Sequence, residues 1–437
     1  MKKKKIGGLI VCLLLLGLII VAWRYTAKSK PIVLEFGMFA ESNWDVENAN
    51  AYVIIDDAIK KFEKEHPGVK VHYETGVRKK DYSEWLARKI LDGKTPDVFM
   101  VLSDDFYKYA SLNVISNLDN QIANDKSFKT GYFFDTALEI GKYQNSQYAL
   151  PYEVVPTLMF VNKTLLQKEG IDVPDKNWTW STMEQIVKKI TKDKDGDGII
   201  DQFGTYNYTW KEAVYSNGAE LFDKDGKKAY FSSVKVDEAV KFVKRLNEMN
   251  EGREVTQNDF DSGNVAFMPL SFSEYRTYKT YPYKIKKYTS FQWDCTSMPA
   301  GSGGHNTSEV DALMMAVGNR SKHKMLAWEF LKLLTSDSAI QREIFEYSQG
   351  ASVLKYVTGS RYAESMIRKD MDVDERVIDN QLLSNAIENG CIKPRFAKYT
   401  EAMALADNEI DDIYKNEKNI DSSLKIFQRN ITRFLNQ

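Results

Sequence analysis

Between Ile32 and Leu102 the sequence passes from strand to helix to strand twice over, and this alternation limits the fold more than any other feature. The run "IVLEFGMF" (32–39) reads as a strand. In "VIIDDAIKKFEKEHPG" (53–68), Ile55, Ile59 and Phe62 share one helical face, and Pro67-Gly68 stops the helix. "VKVHYE" alternates with period two, and Tyr82, Trp85, Leu86 and Ile90 again have helical spacing. "DVFMVL" (97–102) is a short continuous apolar run, the pattern of a strand buried on both faces. Strand–helix–strand–helix–strand predicts a parallel, doubly wound α/β sheet with right-handed crossovers. Ligands of such sheets bind beyond the carboxyl ends of the strands, here "AESNWD" (40–45) and "SDD" (103–105).

Further on, "WSTMEQIVKKI" carries a capping-box pattern, Ser181 with Glu184, and "KMLAWEFLKLL" (324–334) is strongly amphipathic. At 437 residues the chain exceeds one ordinary core, so two domains are expected. No repeat, low-complexity tract or Pro/Gly-rich linker separates them. Several short crossings, not one flexible tether, should join the two.

The amino terminus sets the compartment. In "MKKKKIGGLIVCLLLLGLIIVAW" four lysines precede 18 uncharged, mostly apolar residues, Ile6 to Trp23. A signal-peptide core runs about 7–15 residues and ends at a small-x-small site, whereas about 18 reaches the spanning threshold. The exit "AWRYTAKSK" offers poor cleavage sites, so residues 1–30 read as an uncleaved membrane anchor. A cleaved signal is the alternative, and Cys12 sits mid-run, poorly placed for lipidation. Either way, cytoplasmic lysines send the body out of the cell, at the outer membrane face or secreted.

Residues 1–30 hold seven Lys or Arg and no acid, leaving 53 basic against 61 acidic residues beyond them. That acidic excess argues against a nucleic-acid partner. Only Cys295 and Cys391 could form a disulfide. The four histidines show no metal-ligand spacing, and no nucleophile elbow, P-loop or dinucleotide fingerprint occurs. "PAGSGGHN" (299–306) is glycine-rich without a following GK[ST] and reads as a plain loop. A carboxylate pair for glycoside hydrolysis stays open on sequence grounds. "DKDGDGIIDQFG" (193–204) follows an EF-hand loop through position 9, then places Gly204 where the bidentate Glu belongs.

Together these segments resemble the bacterial extracellular solute-binding protein family 1, the substrate-binding subunits of sugar-importing ABC transporters. The likeness rests on "AIKKFEKEHPGVKVHYE", "PDVFMVLSDDFYKYASLNVISNLD", "YALPYEVVPTLMFVNKTLLQKEGIDVPDKNWTWSTMEQIVKKIT", "DSGNVAFMPLSF" and "MPAGSGGHNTSEVDALMMAVGNRSKHKMLAWEFLKLLTS", in the family's order. It implies a two-lobed, periplasmic-binding-protein-like α/β fold that closes on its ligand. The crossings would fall near Tyr152–Glu153, Glu309 and residue 355. Lobe 1 would comprise 31–152 and 309–355, and lobe 2 153–308 and 356–437.

The resemblance further implies a monomer, not an enzyme, that captures a carbohydrate and delivers it to ABC permease subunits. An exported, calcium-stabilised glycoside hydrolase and a ligand-presenting receptor are the competing readings. Some family members carry a calcium loop at this point in the chain. Its structural Ca²⁺ would be held here by Asp193, Asp195, Asp197, the Ile199 carbonyl, Asp201 and Gln202. Sugar contacts would come from Trp44 and Asp104 after the first and third strands and from Tyr152 and Glu153 at the first crossing. Phe272 lies near the family's stacking Trp. Glu309 and Asp311 stand where many members have a glycine-rich segment, a departure bearing on sugar preference.

Overall fold

The computed structural model describes residues 31–46, 48, 50, 52–280, 291–369 and 378–437. The apolar run 6–23 lies outside them. Among the described residues no helix is long and apolar enough to cross a membrane. Cys295 and Cys391 are not joined by a disulfide.

Strands β1 (Ile32–Gly37), β2 (Val69–Tyr73) and β3 (Val98–Val101) alternate with helices α1 (Val53–Glu65) and α2 (Lys79–Leu91). β1 pairs in parallel with both other strands, and all four residues of β3 are buried, as its unbroken apolar run predicts. α1 buries Ile54, Ile55, Ala58 and Phe62, and the Phe62 ring meets Phe330 at 5.0 Å between centroids. Removing one such ring from water contributes about 1.5–3 kcal/mol. Gly68 closes the turn after α1 at φ +92°, a left-handed conformation that costs a residue without a β-carbon little.

Helices α3 (Ser103–Ser111) and α4 (Asp135–Ile140) follow, and a small hairpin, β4 (Lys142–Tyr143) with β5 (Ser146–Gln147), leads into β6 (Leu150–Asn162). The remaining strands are β7 (Phe203–Thr205), β8 (Val265–Ser271), β9 (Trp293–Thr296), β10 (Val310–Val317) and β11 (Ala351–Ser352). Between and after them run α5 (Trp180–Ile190), α6 (Trp210–Ser216), α7 (Val234–Glu248), α8 (Phe272–Thr280), α9 (Lys324–Ser336) and α10 (Ser338–Tyr347). Three more helices close the chain: α11 (Asn380–Glu388), α12 (Tyr399–Lys415) and α13 (Ile420–Leu435).

β6 is the shared axis of both lobes. Residues 150–156 pair with β10, and residues 157–162 pair with β8 or β9. The strand order is β2-β1-β3-β10-β6-β8-β7, with β9 and β11 also on β6. β10 runs antiparallel between β3 and β6, so the sheet is mixed and not all-parallel as its first three strands suggest. The reason is topological: β10 enters the first lobe from the hinge and must run opposite to β3, which ends there. In the second lobe Trp180 stacks on Phe242 at 4.3 Å, and α12 and α13 bury Ile410, Leu424, Phe427 and Ile431 in the same core.

Three segments cross between lobes side by side. Thr157 N donates to the Glu309 carbonyl (3.1 Å), Val310 N to Cys391 O (3.0 Å), and Cys391 N to Ser308 O (2.7 Å). The first crossing thus lies at Pro156–Thr157, a few residues beyond Tyr152–Glu153. The third lies near Cys391 and not near residue 355. Val357, Leu383 and Ile387 are buried in the first lobe's core, and Thr136 Oγ1 on α4 donates to Glu388 O (2.6 Å). The first lobe therefore keeps the chain to about residue 390.

The cap of α5 also differs from the Ser181–Glu184 pattern. Thr179 caps the helix, accepting from Thr182 N (3.3 Å), and Glu184 pairs with Arg245 (3.1 Å). Backbone bonds from Trp180 N to Ala300 O (2.9 Å) and from Ala300 N to Trp178 O (3.0 Å) hold the chain extended through Thr179, so the helix starts at Trp180, before Ser181.

Candidate functional site

Two polar clusters stand where the lobes meet. The first surrounds Glu153, which β6 carries into the interior at 3% exposure. Its Oε1 accepts from Trp44 Nε1 (2.7 Å), Ser348 Oγ (2.6 Å) and Gly350 N (2.5 Å). Burial pushes the Glu153 carboxyl up, while those three donors and the charge of Arg276 pull the other way. Arg276, from α8, donates to the carbonyls of Phe345 (2.6 Å) and Ser348 (2.7 Å) at the end of α10. One lobe's guanidinium thus caps a helix of the other.

The second cluster lines a cavity between the lobes. The first turn of α3 supplies Ser103 and Asp104, with Tyr107 one turn on, and β10 supplies Asp311. The third crossing adds Lys393 and Arg395, and α12 adds Tyr399. Ser103 Oγ donates to Asp311 Oδ1 (2.8 Å), and Arg395 lies 3.8 Å from the same carboxylate. Arg395 also donates to the Ile140 carbonyl and sits over the Phe106 ring at 5.2 Å. Burial lowers its pKa, and the charges of Asp311 and Asp104 oppose that shift. Lys393 pairs with Glu309 at 2.5 Å. Burial works against the Lys393 charge, but Glu309 overrides it and leaves the amine at about 12. The cavity measures about 60 Å³, room for a couple of waters, so a larger ligand requires the lobes to part.

Asp104 and Asp311 therefore share one cavity, with Glu309 held beside it by Lys393. Trp44 and Glu153 belong to the other cluster, satisfied by the protein itself. Tyr152 is buried beside them, its carbonyl accepting from Gln341 Nε2 (3.0 Å). Phe272 is fully buried, stacked on Tyr275 at 5.9 Å, so in this conformation it is a core ring and offers no face to a ligand. Ser103, Tyr107, Lys393, Arg395 and Tyr399 were not singled out from sequence. The one signal available was the pair of cations flanking Pro394 in "CIKPRF".

Residues 47–341 match the family model described as bacterial extracellular solute-binding protein. The match covers more than half of the sequence. The chain belongs to that family. Its members bind solutes and are not enzymes, so the hydrolase reading falls. This solute-binding protein is 25% identical over 292 residues to a putative binding protein of Brucella abortus, covering 64% of this chain and 67% of the relative. In fold it is similar to the sugar-binding protein MalE of Xanthomonas citri, with TM-score 0.75, 15% identity, and 92% and 97% of the two chains covered. It is also similar to the cyclic alpha-maltosyl-1,6-maltose binding protein of Arthrobacter globiformis, with TM-score 0.74, 14% identity, and 93% and 99% covered.

The loop between α5 and β7 brings one carboxylate oxygen each of Asp193, Asp195 and Asp197 within 4.8 Å of one another. Asp193 accepts from Gly198 N and Gly196 N (both 2.6 Å), and the Gly198 bond leads in holding its pKa low. Ile199 N donates to Asp197, and Lys194 N donates to Asp201 (both 2.8 Å). Three converging hard oxygens suit a calcium ion. Gln202 offers an ion only its amide oxygen. It is 3% exposed, and its amide nitrogen donates to Ile190 O (2.8 Å) and Glu169 Oε1 (3.1 Å).

Proposed function

We propose that this solute-binding protein captures a carbohydrate in the cavity between its lobes and hands it to ABC permease subunits. The observation that carries the proposal is the Asp104–Tyr107–Asp311–Lys393–Arg395–Tyr399 cluster, assembled from both lobes and the third crossing. Carboxylates and cations supply acceptors and donors for hydroxyl groups, and the two tyrosines supply rings for the C–H faces of a sugar. The sugar-binding descriptions of the two structural neighbours support the same ligand class. Ligand enters with the lobes apart and is enclosed as they close about the three crossing segments.

Two further elements belong to this reading. Residues 1–30 anchor the protein at the outer face of the membrane as a monomer; full-length chain in the membrane fraction checks the anchor, and a soluble product starting near Ala27 contradicts it. One structural Ca²⁺ is held by Asp193, Asp195 and Asp197, with Asp201 nearby in sequence. A thermal-shift screen against mono- and oligosaccharides tests the main proposal, because a ligand that binds only the folded state raises the melting temperature. At least one sugar should raise it. A flat response across the panel rejects the proposal.

A further inference from the structure

A separate trough also runs across the lobe boundary and shares no lining residue with the Asp104 cavity. One wall is a face of α11 carrying Leu382, Asn385, Ala386 and Asn389, which stays with the first lobe. The other wall is second-lobe chain, with Asn177, Met298 and His305 along it. Its volume is about 600 Å³, and it continues past Lys176, Leu382 and Asn385 into a stretch of about 530 Å³. Ligand sites commonly occupy about 300–1,000 Å³.

The lining is chemically unlike that of the Asp104 cavity. The main trough has no carboxylate and no aromatic ring other than the His305 imidazole. Among the described residues, the side chains of Thr157, Asn177, His305 and Ser308 have no hydrogen-bond partner in the protein. Ser308 is 5% exposed and lines this space. The Asn306 amide nitrogen donates to Trp178 O (2.7 Å) and Met298 O (2.8 Å), leaving its oxygen uncommitted. Leu158, Met298 and Leu382 add apolar surface between these groups. These uncommitted hydroxyls and amides along an open trough of ligand size offer donors and acceptors to an occupant with hydroxyl groups of its own.

We propose that this trough is a second ligand site, taking an uncharged polyhydroxyl molecule such as a small saccharide or polyol. The neutral amides and hydroxyls bond its hydroxyl groups, and the apolar residues meet its C–H surface. The site stands on its own geometry and does not depend on what the Asp104 cavity holds. Because each wall belongs to a different lobe, the occupant bridges the hinge.

The test uses glycerol, sorbitol, glucose, maltose and trehalose as probes, titrated by calorimetry into the full chain. Three variants are compared with it: Asn177→Trp and Ala386→Trp, which fill the trough from opposite walls, and Asp104→Ala in the other cavity. Asn177 is exposed and its side chain holds nothing in place, so that variant keeps the fold even if the helix variant does not. At least one probe should lose tenfold or more in affinity in both trough variants and stay within twofold in Asp104→Ala. The proposal is overturned if no probe binds the wild-type chain. It is equally overturned if every binding probe follows Asp104→Ala alone, or if Ala386→Trp weakens binding while Asn177→Trp does not.

Discussion

Three donors converge on Glu153 Oε1, and they fix what that residue can do. A buried carboxylate that loses a donor keeps its desolvation penalty, worth about 1–3 kcal/mol. Trp44→Phe should therefore lower stability by about that amount. Gly350→Ala should do at least as much harm, since a β-carbon there would stand 2.3 Å from Glu153 Oε1. Urea unfolding measures both, and a midpoint unchanged in both variants contradicts this account of the cluster. From sequence, Trp44 and Glu153 look like cleft residues whose loss leaves the fold intact. Their partnership spans 109 positions, and no local pattern reveals it. Phe272 was equally ambiguous, because a ring at a strand end serves a core or a ligand with the same local sequence. Asp104, named from its strand end, and Asp311, named from the family resemblance, come together at one cavity.

Among the helices, α10 carries the clearest pH dependence. Burial pushes the Glu343 carboxyl up to about 7, with Asp57, Glu346 and Asp337 adding in the same direction and Lys60 opposing. A folded-state pKa above the ordinary value favours the protonated fold. That contribution is fully present below about pH 4.5 and is lost as the pH rises to about 7. Glu343→Gln should flatten the fall in melting temperature across that window and raise it at pH 7.5; a parallel or lower curve counts against it. For the 193–201 loop, added calcium should raise the melting temperature and Asp195→Ala should remove the gain. Equal melting in calcium and in chelator would leave only a hydrogen-bonded acidic turn. Elements were readable where burial imprints a pattern, a helical period in α1 and an unbroken apolar run in β3. The cap of α5 and the direction of β10 were not, because contacts with Ala300 and with the hinge decide them.

For the whole molecule, the three crossings at Thr157, Glu309–Val310 and Cys391 are hydrogen-bonded side by side between the two lobes. The two-lobed plan and the first two crossings were legible within a few residues. The third was not, since residues 355–388 carry no composition shift in the sequence, and packing in the first lobe's core is what assigns the described residues 355–369 and 378–388 to it. The central claim is that sugar binds at the Asp104–Asp311 cavity across this hinge. Calorimetric titration of the best sugar from the thermal screen tests it most directly, comparing wild type with Asp104→Ala and Asp311→Ala. Each substitution should weaken binding about 5- to 150-fold, the loss of roughly 1–3 kcal/mol of hydroxyl bonding. Asp195→Ala, in the distant loop, should leave affinity unchanged. Binding within twofold of wild type in both cavity variants contradicts the claim.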